Sequence, residues 1–314
     1  MSLAPEIKAF LEATAAAALP QVWEAPVDVI RKNTQTRLAL AGPVEPIHEI
    51  IHRFIPGPTA DLPIRIYRPT SSTSAPAIVY FHGGGWVLNF LDIYDASLAR
   101  LANHSGATII SGATIISVNY QKAPEHPFPI PFDDCYATLQ WVMNNAQNLN
   151  IDATRIGVAG DSAGANLASA VAIKARDNEI DLAFQLLIYP CNGRDFETDS
   201  YRENATGYGL STQAMKWFWE QYLQGSAHDT NPYAVPMAAS SLKDVAPAVI
   251  ITAQYDPLLS DGKKYAQLLK DDGVSVTYVE YPGMIHGFFT NMAVTPVARE
   301  AIDFVALEVK RLTQ

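Results

Sequence analysis

The chain has 314 residues, 48% hydrophobic and 17% charged, with 18 glycines and 21 prolines, the balance of an ordinary globular protein with a large buried core. That composition excludes collagen, coiled coil and wholesale disorder. A net charge of −10 with no long basic run removes the electrostatic footprint of a nucleic-acid binder and argues against docking on acidic lipids.

This length fits one large α/β domain or a core carrying a smaller accessory piece. The first 19 residues have Glu6 and Glu12 scattered through them and no basic stretch before an apolar core, so no signal peptide is expected. The apolar run from Ala13 to Leu19 is far shorter than a bilayer span. Cys135 and Cys191 belong to no CxxC or Cys/His cluster and are expected as buried thiols of a reducing compartment. A cytoplasmic protein without stable membrane association is the expectation.

Two helices are predicted first, Pro5 to Ala18 and Pro26 to Leu40, broken by Pro20 and by Gly42-Pro43. Short β-type runs follow, His48 to Ile55 and Leu62 to Tyr67, separated by Pro56-Gly57-Pro58. Strand-like and helical patterns then alternate: Ala77 to Phe81, Asp95 to His104, Thr114 to Val118, Pro131 to Asn145, Arg155 to Ala159, Ala163 to Arg176, Leu182 to Tyr189. Continuous apolar strands between helices mean an α/β protein whose mostly parallel central sheet has helices on both faces. The alternation lapses between about Asn192 and Ser226, in a polar stretch leading to a helix with Met215, Trp217, Phe218, Trp219 and Tyr222. It resumes with strand Ala248 to Ala253, helix Ser260 to Leu269, strand Val274 to Tyr281 and helix Pro296 to Leu312. Ser105 to Ile110 reads SGATII and Ser111 to Ile116 repeats it. The second copy, running into Val118, is expected in the sheet and the first outside it.

Gly160-Asp161-Ser162-Ala163-Gly164 lies directly between a predicted strand and a predicted helix. A turn that tight forces the central residue into a strained backbone conformation and needs small neighbours, so the Ser162 hydroxyl projects alone above the sheet. His82-Gly83-Gly84-Gly85-Trp86 follows the strand ending at Phe81. Acyl transfer builds negative charge on a carbonyl oxygen, and bare glycine amides approach that oxygen where side chains would block the way. A further donor is expected at Ala163, the residue after the nucleophile.

A serine hydroxyl needs a base, and the base needs an acid to fix its tautomer. Asp256 follows the strand Ala248 to Ala253, and His286 lies just beyond the strand ending near Tyr281, both at carboxyl ends of strands where ligands of α/β sheets gather. Serine, acid and histidine stand in the order this architecture uses. None of His48, His52, His104, His126 and His228 falls after the last strand, and His82 reads as bracing the glycine loop.

The set HGGGW at 82–86, GDSAG at 160–164, Asp256-Pro257-Leu258 and His286-Gly287-Phe288, with Ala123-Pro124-Glu125-His126 between, closely resembles the bacterial hormone-sensitive-lipase-like carboxylesterases. The resemblance runs from about residue 5 to the end. It implies an α/β-hydrolase core at 46–191 and 227–314 with a small helical cap, built from residues 1–45 and an inserted segment at 192–226. It implies hydrolysis of short- to medium-chain acyl esters by Ser162 as nucleophile, Asp256 as acid and His286 as base, without metal or cofactor. Gly83, Gly84 and Ala163 would donate to the oxyanion, with Gly85 supporting the loop. Trp86, Leu210 and Phe218 would line the acyl pocket. Members often dimerise, which leaves a homodimer open beside the small-molecule ester as partner.

The chain departs from the family pattern at Asn119-Tyr120-Gln121-Lys122, where Asp-Tyr-Arg-Leu is usual, at Ala165 for a common Gly, and at Leu259-Ser260 for a usual Arg-Asp. Structural ion pairs are thereby in doubt, while every reacting group is present. Two rivals keep the same fold: an amidase, carbamate hydrolase or lactonase with the same triad, and a non-catalytic ligand-binding protein. Plant gibberellin receptors resemble the family in that second way but lack the histidine, which is intact here. A lipase acting at oil interfaces fits poorly with a small cap and an anionic surface.

Overall fold

The computed structural model describes residues 2–71, 74–105 and 112–314. Its centre is a sheet in the order β1-β2-β4-β3-β5-β6-β7-β8. The strands are β1 (Glu49–Pro56), β2 (Asp61–Arg68), β3 (Ala75–Phe81), β4 (Thr114–Val118), β5 (Ile151–Asp161), β6 (Gln185–Ile188), β7 (Ala248–Tyr255) and β8 (Val276–Ile285). β1 and β2 form an antiparallel hairpin, β2 meets β4 antiparallel, and every later pairing is parallel. β3 is buried at all its positions, as a central parallel strand covered on both faces must be.

Helices α4 (Asp95–His104) and α10 (Pro296–Leu312) bury Leu98, Leu101, Ile302 and Val305 on one face of the sheet. Helices α5 (Ile130–Asn144), α6 (Ala163–Asp177) and α9 (Leu259–Asp271) bury Leu139, Val171 and Leu269 on the other. α10 shows how sequence sets such an element. Thr295 caps it by accepting the Val297 amide at 3.3 Å, Pro296 occupies the first turn, and Lys310 and Arg311 face the carboxyl end of the dipole.

Two stretches differ from expectation for identifiable reasons. The helix predicted over 26–40 is divided into α2 (Val27–Asn33), a 3₁₀ turn (Thr34–Arg37) and α3 (Leu38–Ala41). The Thr34 and Thr36 hydroxyls donate to the carbonyls of Arg31 and Asn33 at 2.6 and 2.7 Å, competing with the helical ladder. β8 runs past Tyr281 through Pro282-Gly283, because it ends the sheet order and a proline on an edge removes no ladder bond. The Gly283 amide is taken by Gln254 Oε1 at 2.8 Å.

The second SGATII copy feeds β4 as expected, while the first lies outside the described residues beyond Ser105. Cys135 and Cys191 are buried free thiols. Among the described residues, no helix is long and apolar enough to cross a membrane.

β3 has β4 on one side and β5 on the other, so the chain reverses its direction of travel across the sheet there. Loops leaving β3 and β5 diverge at such a switch point and open a crevice at the carboxyl ends. The glycine loop leaves β3 and the GDSAG turn leaves β5, with Phe81 paired to Gly160.

The first helices and the inserted segment reach toward this edge. α1 (Pro5–Ala16) is tethered by the Ala4 amide to Gly283 O at 3.2 Å. Arg31 of α2 forks onto Glu125 with two 2.7 Å bonds and donates to the carbonyls of Val87 and Ala123, each at 2.9 Å. The inserted segment supplies α7 (Asp199–Glu203) and α8 (Thr212–Leu223). Tyr222 O of α8 accepts the Phe128 amide at 2.8 Å.

Candidate active site

Ser162 sits between β5 and α6 with φ 56° and ψ −121°, the left-handed strain expected of a strand-to-helix elbow. The flanking glycines are dictated by contact. A Cβ on Gly160 would lie 2.2 Å from Gly164 O, and one on Gly164 would lie 1.9 Å from Phe81 O. Any side chain there would force the strand and helix apart.

Ser162 Oγ is 2.9 Å from His286 Nε2, and His286 Nδ1 is 2.7 Å from Asp256 Oδ2. Asp256 is fully buried, and its Oδ1 accepts the Leu258 amide at 2.8 Å, leaving Oδ2 for the imidazole. Three side chains at the ends of β5, β7 and β8 thus form one hydrogen-bonded line. The Tyr189 ring packs against His286 with centroids 4.6 Å apart, on a residue held at φ 38°.

Around the glycine loop, the structure corrects two expectations. The Gly83 amide donates to Asp161 Oδ1 at 2.8 Å, so it is not available to an oxyanion. Among the described residues, the amides of Gly84, Gly85 and Ala163 have no acceptor within the chain, and Ala163 opens α6, where the helix dipole adds positive potential. Trp86 was expected to line the acyl pocket but is 0% exposed. Its ring stacks on Tyr222 at 4.3 Å and 2°, and meets Trp219 at 4.5 Å, joining the loop to α8. Phe218 of the same helix lies against Gly85, and Leu210 is half-buried in the loop before α8.

His82 is buried and stacks on Tyr120 at 4.4 Å, with Nδ1 donating to Gly83 O at 2.8 Å. Burial, reinforced by the Lys122 charge, lowers its pKa to about 3, so the ring is neutral and serves as a brace. Lys122 is itself lowered to about 8 by burial and by nearby Arg31. Its ammonium donates to Asn119 Oδ1 at 2.6 Å, and the Gln121 amide donates to Asp134 Oδ2 at 2.8 Å. Polar hydrogen bonds therefore occupy the positions where the family pattern led one to expect ion pairs.

Asp161 and Tyr189 are the contributors that motif reasoning missed. Asp161 is the first of the two variable positions of GxSxG, and Tyr189 is one tyrosine after an apolar strand; only their contacts single them out. No group of three or more His, Cys, Asp or Glu side chains with metal-holding geometry occurs among the described residues.

A family described as the alpha/beta hydrolase fold matches residues 78–290. Carboxylesterase NlhH of Mycobacterium tuberculosis is 42% identical over 246 residues, covering 77% of this chain and 75% of that protein. Esterase LipI of the same species is 38% identical over 276 residues, covering 85% and 84%. A hyperthermophilic esterase from the archaeon Pyrobaculum calidifontis superimposes with a TM-score of 0.92 at 38% identity, covering 99% of both chains.

Proposed function

The chain belongs to the hormone-sensitive-lipase-like carboxylesterases of the alpha/beta-hydrolase fold and is a carboxylic ester hydrolase; on that premise we propose that it cleaves short- to medium-chain acyl esters through Ser162, His286 and Asp256. The observation that carries the proposal is the line from Ser162 Oγ to His286 Nε2 at 2.9 Å and from His286 Nδ1 to Asp256 Oδ2 at 2.7 Å.

Ser162 Oγ attacks the ester carbonyl carbon while Nε2 of the neutral imidazole takes the hydroxyl proton. Asp256 fixes the proton on Nδ1 and stabilises the imidazolium that forms. The carbonyl oxygen becomes an oxyanion held by the free amides of Gly84, Gly85 and Ala163. When the tetrahedral adduct collapses, the imidazolium protonates the leaving alkoxide and the acyl group stays on Ser162. A water molecule then attacks the acyl-enzyme, with His286 again as base, releasing the acid.

Residues 1–45 and 192–226 form the cap in this proposal, with Leu210 and Phe218 bounding the acyl pocket. Initial rates on p-nitrophenyl esters from acetate to palmitate, with Ser162→Ala alongside, test it. Turnover should peak at short to medium chains, and kcat should fall by about 10⁴ or more in the variant. Near-wild-type hydrolysis by Ser162→Ala would overturn the mechanism.

A further inference from the structure

Helix α9 begins three residues after Asp256, yet its own N-cap residue, Leu258, has no side chain able to cap it. The first amides of a helix lack intrahelical acceptors and need one from elsewhere. Here the acceptor comes from the inserted segment: the Ser260 amide donates to Ser200 Oγ at 3.0 Å. The same hydroxyl donates to Pro257 O at 2.6 Å, and the Ser200 amide donates back to Ser260 Oγ at 3.3 Å. Just past the carboxyl end of α7, Asn204 Nδ2 donates to Asp256 O at 3.3 Å.

Ser200 of this five-residue helix and Asn204 just past its end thus make four hydrogen bonds to residues 256–260, and Ser200 is only 3% exposed. Ser260 stands where the family pattern has a charged residue, so this pairing of two serines belongs to the chain's own sequence.

We infer that Ser200, assisted by Asn204, is a positioning residue for Asp256, through which the inserted segment sets the geometry of the acid as well as covering the pocket. The inference rests on Asp256 being the triad acid. Asp256 makes two demands on its loop: Oδ1 must meet the Leu258 amide, and Oδ2 must meet His286 Nδ1. Both depend on the backbone of residues 256–258, which Ser200 and Asn204 hold through the carbonyls of Pro257 and Asp256. A displacement of about 1 Å in a catalytic group costs up to about 10²-fold in rate.

The test is a double-mutant cycle on a short p-nitrophenyl ester, with rates expressed per mole of folded enzyme. Ser200→Ala should lower kcat about tenfold with KM within about twofold, because substrate contacts are untouched while the acid drifts. Asp256→Asn should lose far more, and adding Ser200→Ala to it should lower kcat no further, since the group being positioned is already disabled. Asn204→Ala, which leaves the Ser200 cap intact, should lower kcat in the same direction, and it serves if Ser200→Ala does not fold. Unchanged kcat in both single variants, or losses that multiply on the Asp256→Asn background, would overturn the inference. Wild-type activity in Asp256→Asn would instead sink the triad assignment, and the inference with it.

Discussion

The Gly83 amide donates to Asp161 Oδ1 at 2.8 Å, which ties the first residue of the glycine loop to the residue immediately before the nucleophile. The same carboxyl accepts the Tyr80 and Tyr94 hydroxyls at 3.0 and 3.2 Å. Burial holds its pKa above the usual carboxylate range. One side chain therefore sets the spacing between Ser162 and the Gly84 and Gly85 amides. Asp161→Ala should lower kcat about 100-fold, comparable to losing one oxyanion donor. It should also lower thermal stability, since each buried hydroxyl left without a partner costs about 1–3 kcal/mol. Initial rates and thermal unfolding measure the two effects, and a wild-type kcat would mean that the loop holds itself.

Trp86 fixes the loop from its other end, through the ring stack with Tyr222 and Trp219. Removing a fully buried indole should cost about 3–5 kcal/mol. Trp86→Ala should also lower kcat for every ester in the acetate-to-palmitate series by a similar factor, because it loosens the loop instead of reshaping a pocket. A selective gain on long chains would return Trp86 to the pocket wall.

The sheet was readable because its strands are continuous apolar runs and its helices amphipathic, so β3, β4, α4 and α10 needed nothing beyond periodicity and punctuation. The site was readable where chemistry demands particular residue types at particular strand ends, as at Ser162, Asp256 and His286. What sequence left hidden depends on contacts between distant segments. Gly83 and Gly84 are chemically identical, and only the position of Asp161 decides that the first is occupied. Trp86 beside a glycine loop suggests a pocket wall until Tyr222 is found stacked on it. Nothing at Ser200 or Ser260 reveals that they meet across 60 residues of chain.

Gly85 has φ +60°, and a Cβ there would lie 2.1 Å from Phe218 Cδ1. Gly85→Ala should therefore displace both the loop and α8, and reduce kcat about 100-fold or more. Adding Phe218→Ala removes the clash but leaves the backbone strain of about 1 kcal/mol, so recovery should be partial. Rates for the single and double variants check this; no recovery at all would mean that backbone strain alone accounts for the loss.

Leu210 precedes α8 and is half-buried against the same core as Phe218. If it bounds the acyl site, Leu210→Trp should shift the preferred p-nitrophenyl ester toward acetate and raise KM for longer chains several-fold, with little change in kcat on acetate. An unchanged chain-length profile would place Leu210 in cap packing alone.

His82 links the site to acid stability. Its pKa in the folded protein, lowered to about 3 by burial and by Lys122, lies below the ordinary 6.5. Between those values the unfolded chain binds a proton that the folded protein refuses, so the stability His82 confers is present above pH 6.5 and is lost as the pH falls toward 3. The loss is about 1.4 kcal/mol per pH unit, and about 5 kcal/mol over the whole window. That is comparable to the entire stability of many domains. His82→Asn keeps a donor where Nδ1 meets Gly83 O but does not titrate. Its urea midpoint should be lower than wild type at pH 7, and the gap should narrow steadily on acidification to pH 4. Parallel declines for the two proteins would mean that other groups govern acid unfolding.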